Sequence, residues 1–400
     1  MSVSPERVNA AIPSRELERR WAAIRSAMEH AGVDVLLAQA NNDFIGGYVK
    51  YLTDLPATNG YPLTVVFPRD RPMTIIGQGP FGLDLELPAE GDGLRRGVGR
   101  VLGTPSYASA HYTAGYDAEL ASRALDGYSG ATVGLLGTAA ISHALVEGLR
   151  AGPLRRARIV DASELVDPIK AVKSEDELEL VRRTAAAQDQ AMRAALDAAE
   201  PGMRELEVAA IAERLTRSLG SEQGLFLAWS GPAGSAGQIV NRHLQNRVLA
   251  PGDQFSLLIE SNGAGGFYCE LGRTIVLGEA PERLQAEHEF VLRAQRFCAE
   301  RLAPGADPAW LWREYNDFVQ DAGRPAERRL HFHGQGYDMV ERPLIRFDET
   351  LPVAASSYFA VHPSFNVPGA YCWICDNFLL DAAGRVQRLH AFPQELLERA

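Results

Sequence analysis

The chain concentrates its reactive side chains in four short stretches. Residues 331–343 read HFHGQGYDMVERP, residues 359–363 read FAVHP and residues 373–377 read WICDN; upstream, residues 251–274 read PGDQFSLLIESNGAGGFYCELGRT. They supply imidazoles, carboxylates and thiols, the groups that ligate divalent metals or carry protons near neutral pH. Cys372 and Cys375 also form a Cys-x-x-Cys pair. A redox pair of that spacing sits at a helix N-terminus, which lowers the thiol pKa. Here the flanks, AYCWICDNFLLD, are aromatic and aliphatic and read as a strand, on which positions i and i+3 face opposite sides. One thiol on each face and no disulfide is the expectation. Four cysteines in 400 residues are too few for a disulfide scaffold.

Elements must bring these stretches together. Ser14 to about His30 reads as an amphipathic helix. VDVLLAQA (from Val33), LTVVF (from Leu63), MTIIG (from Met73), ATVGLLG (from Ala131) and ARIVDAS (from Ala157) read as strands, and ISHALVEGLR as a helix. Strands alternating with helices over about 160 residues indicate an α/β domain. It carries no glycine-rich dinucleotide or phosphate loop, so no nucleotide site is expected. A boundary is placed near Asp167-Pro168-Ile169-Lys170, giving domains 1–166 and 167–400. Beyond it Ser174 and Glu177 form a capping box, opening a helix that Pro201-Gly202 stops. A second helix, RELEVAAIAERLTRSL, ends at Gly220. The arrangement recurs: a helix from Glu282 to Leu302 stops at Pro304-Gly305, and PAWLWREYNDFVQDAG follows. The two stops lie about 100 residues apart and strand-rich sequence follows each pair, which predicts an internal repeat. A cleft between two such halves is a common place for a site.

Composition narrows the function. A net charge of −11 argues against nucleic acid or an anionic membrane as partner. The 46% hydrophobic and 23% charged content is that of a globular protein. No apolar run reaches the ~18 residues of a spanning helix, and the first residues lack the apolar core of a secretory signal. A cytoplasmic location and a small-molecule substrate are expected.

The order and spacing of several words resemble the creatinase / prolidase / methionine aminopeptidase (pita-bread) family over nearly the whole chain. They are Ile169-Lys170 with Lys173-Ser174 and Glu177, Leu249-Ala250-Pro251-Gly252-Asp253, Gly266-Phe267-Tyr268, Arg273-Thr274, His333-Gly334-Gln335-Gly336, and Asp376. The resemblance implies an N-terminal α/β creatinase-like domain, a C-terminal pita-bread α+β domain with a pseudo-twofold repeat, and a homodimer. It also implies a site. Where the family's metallopeptidases hold two ions with two aspartates, a histidine and two glutamates, the corresponding positions are Glu260, Glu270, His333, His362 and Cys375. Two further histidines of the proline peptidases fall at Asn241, beside Arg242 and His243, and at Val340, before Glu341. Only one of the five ligands is retained, so general proline-peptidase chemistry is not expected. Arg273 would pair with Asp376 behind the site.

The exchanged groups permit three chemistries. Glu260, Glu270, His333, His362 and Cys375 could hold one divalent ion, zinc or iron; extending Asp to Glu moves a carboxylate by ~1.5 Å, which the old two-ion geometry does not tolerate. Without metal, facing Glu260 and Glu270 could not both ionise cheaply, and beside the two imidazoles they form an acid–base set. Third, Cys375 could be a nucleophile activated by His362. Hydrolysis of a C–N bond in a small amide or amidine is the leading expectation. A lyase acting by proton abstraction and an inactive binding homologue are the alternatives. Asn241, His243 and Glu341 are candidate substrate contacts, as are Tyr48, Tyr51, Asn59 and Tyr61 of the N-terminal domain. The bland readings are a solvated His288, a strand-capping His331 and a surface ion pair between Glu341 and Arg342 worth under ~1 kcal/mol.

Overall fold

The computed structural model describes residues 10–42, 44, 46–56, 60–88, 91–152 and 154–399. They divide into two compact units, with residues 11–170 in one and residues 171–399, together with Ala10, in the other. The division falls at the end of the helix Ser163–Ala171, which contains Pro168. The stretch read as a domain boundary is therefore helical. Among the described residues no helix is long and apolar enough to cross a membrane.

In the N-terminal unit, Val35–Ala40 lies inside a seven-stranded mixed sheet, antiparallel to Leu63–Pro68 and parallel to Thr132–Leu136. Every residue of Val35–Ala40 and Leu63–Pro68 is buried, as expected of strands covered on both faces. The helix Ser14–Ala31 ends on Gly32 at φ +64°, the left-handed cap that glycine adopts without a Cβ clash. Sequence reading missed the strands Asp84–Glu86 and Val98–Thr104 and the helix Tyr116–Ala124. Val98–Thr104 is broken by two glycines, which weaken a strand signal, and Asp84–Glu86 is a short, fully exposed edge.

The second unit is built twice over. Its first half packs the helices Glu175–Ala198 and Glu205–Ser218 on a sheet of Gly224–Pro232, Asp253–Asn262 and Tyr268–Val276, edged by Leu397–Glu398. Its second half packs Glu282–Glu300 and Pro308–Asp321 on Glu341–Leu344, Phe332–Gly334, Ser357–Val361, Asp376–Leu380 and Val386–Arg388. Each half has its own apolar core. The predicted capping box opens the first helix: the Glu177 amide donates to Ser174 Oγ at 3.2 Å and the Ser174 amide to the Glu177 carboxylate at 2.7 Å.

A two-bond backbone bridge joins the halves beside the reactive stretches. The Gly272 amide donates to the Cys375 carbonyl at 3.0 Å and the Cys375 amide to the Gly272 carbonyl at 3.3 Å. Only glycine fits there, because a Cβ at 272 would lie 1.8 Å from the Trp373 ring. Next to the bridge Arg273 Nη2 meets Asp376 Oδ1 at 2.6 Å, both groups being buried. This is the structural pair expected from the sequence.

Candidate active site

Strand register makes the acidic pair. Asp253–Asn262 and Tyr268–Val276 run antiparallel with Glu260 directly opposite Glu270, and opposed residues project to the same face. Two ionised carboxylates there would repel, and their surroundings pull them apart. Burial, and then the Glu270 charge, push Glu260 well above the usual carboxylate value against the opposing Arg329 and Gln335. Burial also acts to raise Glu270, but the His362 and His333 imidazoles and the Cys375 thiol outweigh it and hold the group below its ordinary value.

The imidazoles come from the second half. His333 lies on Phe332–Gly334, and its Nδ1 stands 2.9 Å from the Gly334 carbonyl. A carbonyl only accepts, so Nδ1 donates to it and Nε2 is the nitrogen turned to Glu270. That Nε2 lies 3.6 Å from Oε2 of Glu270. His362 follows the strand Ser357–Val361; its amide donates to the His331 carbonyl at 2.8 Å, and its ring meets the His333 ring edge-on at 5.1 Å between centroids. Burial lowers the His362 pKa, opposed by Glu270 and helped by His333. One ligand atom from each of Glu270, His333 and His362 lies within 4.8 Å of the others. All three open onto a cavity of about 540 Å³, with Glu260, Glu327, Arg329 and Asn241 at its polar wall and Leu225, Leu227, Ile239, Leu258, Tyr371 and Trp373 among its apolar lining.

Of the five side chains expected to meet, three form this group. Glu260 shares the cavity without joining it. Cys375 is fully buried and lies outside the lining; its thiol donates to the Glu270 backbone carbonyl at 3.4 Å. Burial, and then Glu270, Asp376 and Glu260, push the thiol well above its usual value, which removes the thiolate a nucleophile needs. All four cysteines are free. Cys372 sits in the second-half core and Cys375 in a separate cluster with Leu258 and Trp373; the stretch read as one strand is two, Ala370–Trp373 and Asp376–Leu380, in different sheets with Cys375 between them.

The remaining candidates divide. Asn241 lines the cavity, whereas His243 is exposed and does not. Glu341 lies outside the cavity lining and is not half of a surface pair with Arg342: it is buried against Lys173 Nζ at 3.2 Å, and Arg342 turns instead to Glu349 at 2.5 Å. Gly336 makes room for it, since a Cβ there would fall 2.2 Å from Glu341 Oε2. His288 is not solvated; it is buried, with Nε2 at 2.8 Å from the Gln394 carbonyl. Its helix face packs inward, a fact hidden by the charges beside it in sequence. His331 is buried and stacked on Tyr315 at 3.6 Å between centroids. In the N-terminal unit Tyr48 is committed to the fold, its hydroxyl donating to Asp167 and its ring facing Lys170 Nζ at 4.2 Å. Tyr51 is buried beneath the Arg20 guanidinium. Tyr61 is exposed beside Tyr107, and Asn59 lies outside the described residues.

Two cavity residues had no signal in the sequence reading. Arg329 and Glu327 precede the histidine stretch in a polar run, ERRL. Only the fold turns that run toward the site.

Residues 179–382 match metallopeptidase family M24. The chain belongs to that family. A probable dipeptidase PepE from Mycobacterium bovis is 26% identical over 239 residues, 59% of this chain and 63% of its own length, so the match spans less than two thirds of that relative. An Xaa-Pro dipeptidase from Pyrococcus furiosus is 25% identical over 274 residues, 66% of this chain and 75% of that protein. The solved X-Pro aminopeptidase from Thermotoga maritima superposes with a TM-score of 0.75 at 17% identity, over 94% of this chain and 99% of that one. The M24 chain described here thus has the pita-bread architecture of a hydrolase family. Its Glu/His/His cluster could hold a metal ion.

Proposed function

We propose that this M24 protein hydrolyses a C–N bond of a small amide, with one divalent ion, zinc or iron, held by Glu270, His333 and His362. The convergence of one carboxylate and two imidazoles on a single cavity, with His333 Nε2 turned to Glu270, carries this reading. The set fits an ion in two ways: three protein ligands leave a position open, and the backbone hydrogen bond that orients the His333 ring is the usual support of a ligating imidazole. A bound ion would polarise a carbonyl or lower the pKa of water.

The chain's own residues supply the rest. Glu260, on the same face as Glu270 and pushed up by burial, is placed to deliver a proton to a leaving nitrogen. Asn241 offers an amide to a polar group of the substrate, and Leu227, Leu258 and Trp373 take its apolar part. The cavity is of the size of small-ligand sites. The dipeptidase names of the relatives support a peptide-like amide over a larger polypeptide. Four reduced cysteines fit a cytoplasmic enzyme, and we expect a homodimer of chains divided into domains 1–166 and 167–400.

Elemental analysis of protein purified without chelator, followed by product analysis in heavy-oxygen water with a panel of dipeptides and N-acyl amides, tests the proposal. Expected are about one zinc or iron per chain, incorporation of solvent oxygen, and loss of both metal and turnover in Glu270→Ala and His333→Ala. Turnover without bound metal after metal addition would leave the acid–base set alone. Product free of solvent oxygen would select a lyase.

A further inference from the structure

Buried amides link the two acidic strand positions from behind. The Glu270 backbone amide donates to Oδ1 of Asn377 at 2.7 Å. Nδ2 of Asn377 donates to Oε1 of Gln335 at 2.7 Å, and Nε2 of Gln335 reaches Oε1 of Glu260 at 3.4 Å. Only one polarity satisfies this chain. A backbone N–H cannot accept, so the Asn377 atom facing Glu270 is oxygen and the atom facing Gln335 is nitrogen. Reversing Gln335 would set N–H against N–H, so its nitrogen is the atom that faces Glu260. Asn377 is itself held from the far side. His390 Nε2 contacts the same Oδ1 at 3.2 Å, and His390 Nδ1 lies 3.1 Å from Asp189 Oδ1 on the helix Glu175–Ala198. Gln335, Asn377 and His390 are 1%, 0% and 2% exposed, so solvent has little access to compete for these bonds.

We propose that Gln335 is a positioning residue for Glu260 and that Asn377 sets its orientation, so that Oε1 of Glu260 is tied down and Oε2 is the oxygen left for substrate. The inference rests on the reading of Glu260 as a substrate-facing group of the active site. Outer partners of this kind commonly change activity without touching substrate. The alternative role for the chain is to knit the two sheets together, and the two roles separate experimentally.

The test is crystallography and kinetics of Gln335→Met, with Asn377→Leu as a second variant. Methionine keeps the length of glutamine and donates nothing. In Gln335→Met the Glu260 carboxyl should leave its wild-type orientation or split between two, with the sheets undisturbed. On whichever amide the wild type hydrolyses, kcat should fall about tenfold at unchanged KM. Asn377→Leu should displace Glu260 in the same way; if that variant does not fold, the methionine variant decides alone. A Gln335→Met structure with Glu260 unmoved overturns the proposal whatever the kinetics. If the wild type hydrolyses none of the amides offered, the functional reading fails separately, and the crystallographic comparison still decides the positioning.

Discussion

His331 shows what a single residue can hide. Among the described residues neither of its buried ring nitrogens has a hydrogen-bond partner, and the ring stacks on Tyr315 and tilts against Trp312. A buried polar group left unsatisfied costs about 1–3 kcal/mol. An apolar ring of similar shape keeps the stacking and removes that cost. His331→Phe is therefore expected to stabilise the protein by about 1 kcal/mol, a small rise in melting temperature that calorimetry can resolve. A lower melting temperature would mean that the imidazole has a polar role after all. At this scale the sequence was legible only where a motif fixed the surroundings. His333 and the Arg273–Asp376 pair were found that way. Glu341 and His288 were misread because burial is a property of neighbours distant in sequence: Lys173 lies 168 positions from Glu341, and Gln394 lies 106 from His288.

Elements were easier to read than partners, because capping and periodicity are local. The Ser174–Glu177 box, the duplicated helix pairs and the central strands of the N-terminal sheet all follow from neighbours a few positions apart. Register does not, and here register makes the site: a one-residue slip between Asp253–Asn262 and Tyr268–Val276 would turn Glu260 away from Glu270. Two substitutions probe this scale. Ser174→Ala removes one arm of the capping box and should cost about 1 kcal/mol, seen as a lower denaturant midpoint with an unchanged slope. Gly272→Ala is a different matter. Its methyl would fall within the Trp373 ring, at a bridge that joins the halves, so the indole or the bridge would have to move. The expected outcome is a loss of several kcal/mol, or an insoluble protein. A Gly272→Ala variant that melts like wild type would show that the bridge is not rigid.

Across the whole molecule, acid stability should depend on ties between distant segments. Asp189 joins the helix Glu175–Ala198 to the chain near the C-terminus, accepting the Ala391 amide at 2.7 Å and facing His390 Nδ1 at 3.1 Å. Burial acts to raise Asp189, but the hydrogen bond and charge of His390 and the amides of Ala391 and Phe392 outweigh it and hold the carboxyl below its ordinary value. Glu349 is held down in the same way: the Arg342 guanidinium and the amides of Leu351, Leu344 and Thr350 overcome its burial. A carboxyl depressed in the folded state binds protons more readily once unfolded. Its stabilisation is thus present above the unfolded value, about 4, and is lost as pH falls through the lower folded value. Asp189→Asn removes that dependence at one site. The variant should be less stable than wild type at pH 7, and the gap should narrow as pH falls below the unfolded carboxyl value, about 4, and toward the lower folded one. Urea unfolding of both proteins at pH 7 and pH 3.5 measures it. A gap that stays constant over that range would assign the Asp189 contribution to packing rather than charge, and the acid limb would then have to come from elsewhere in the fold.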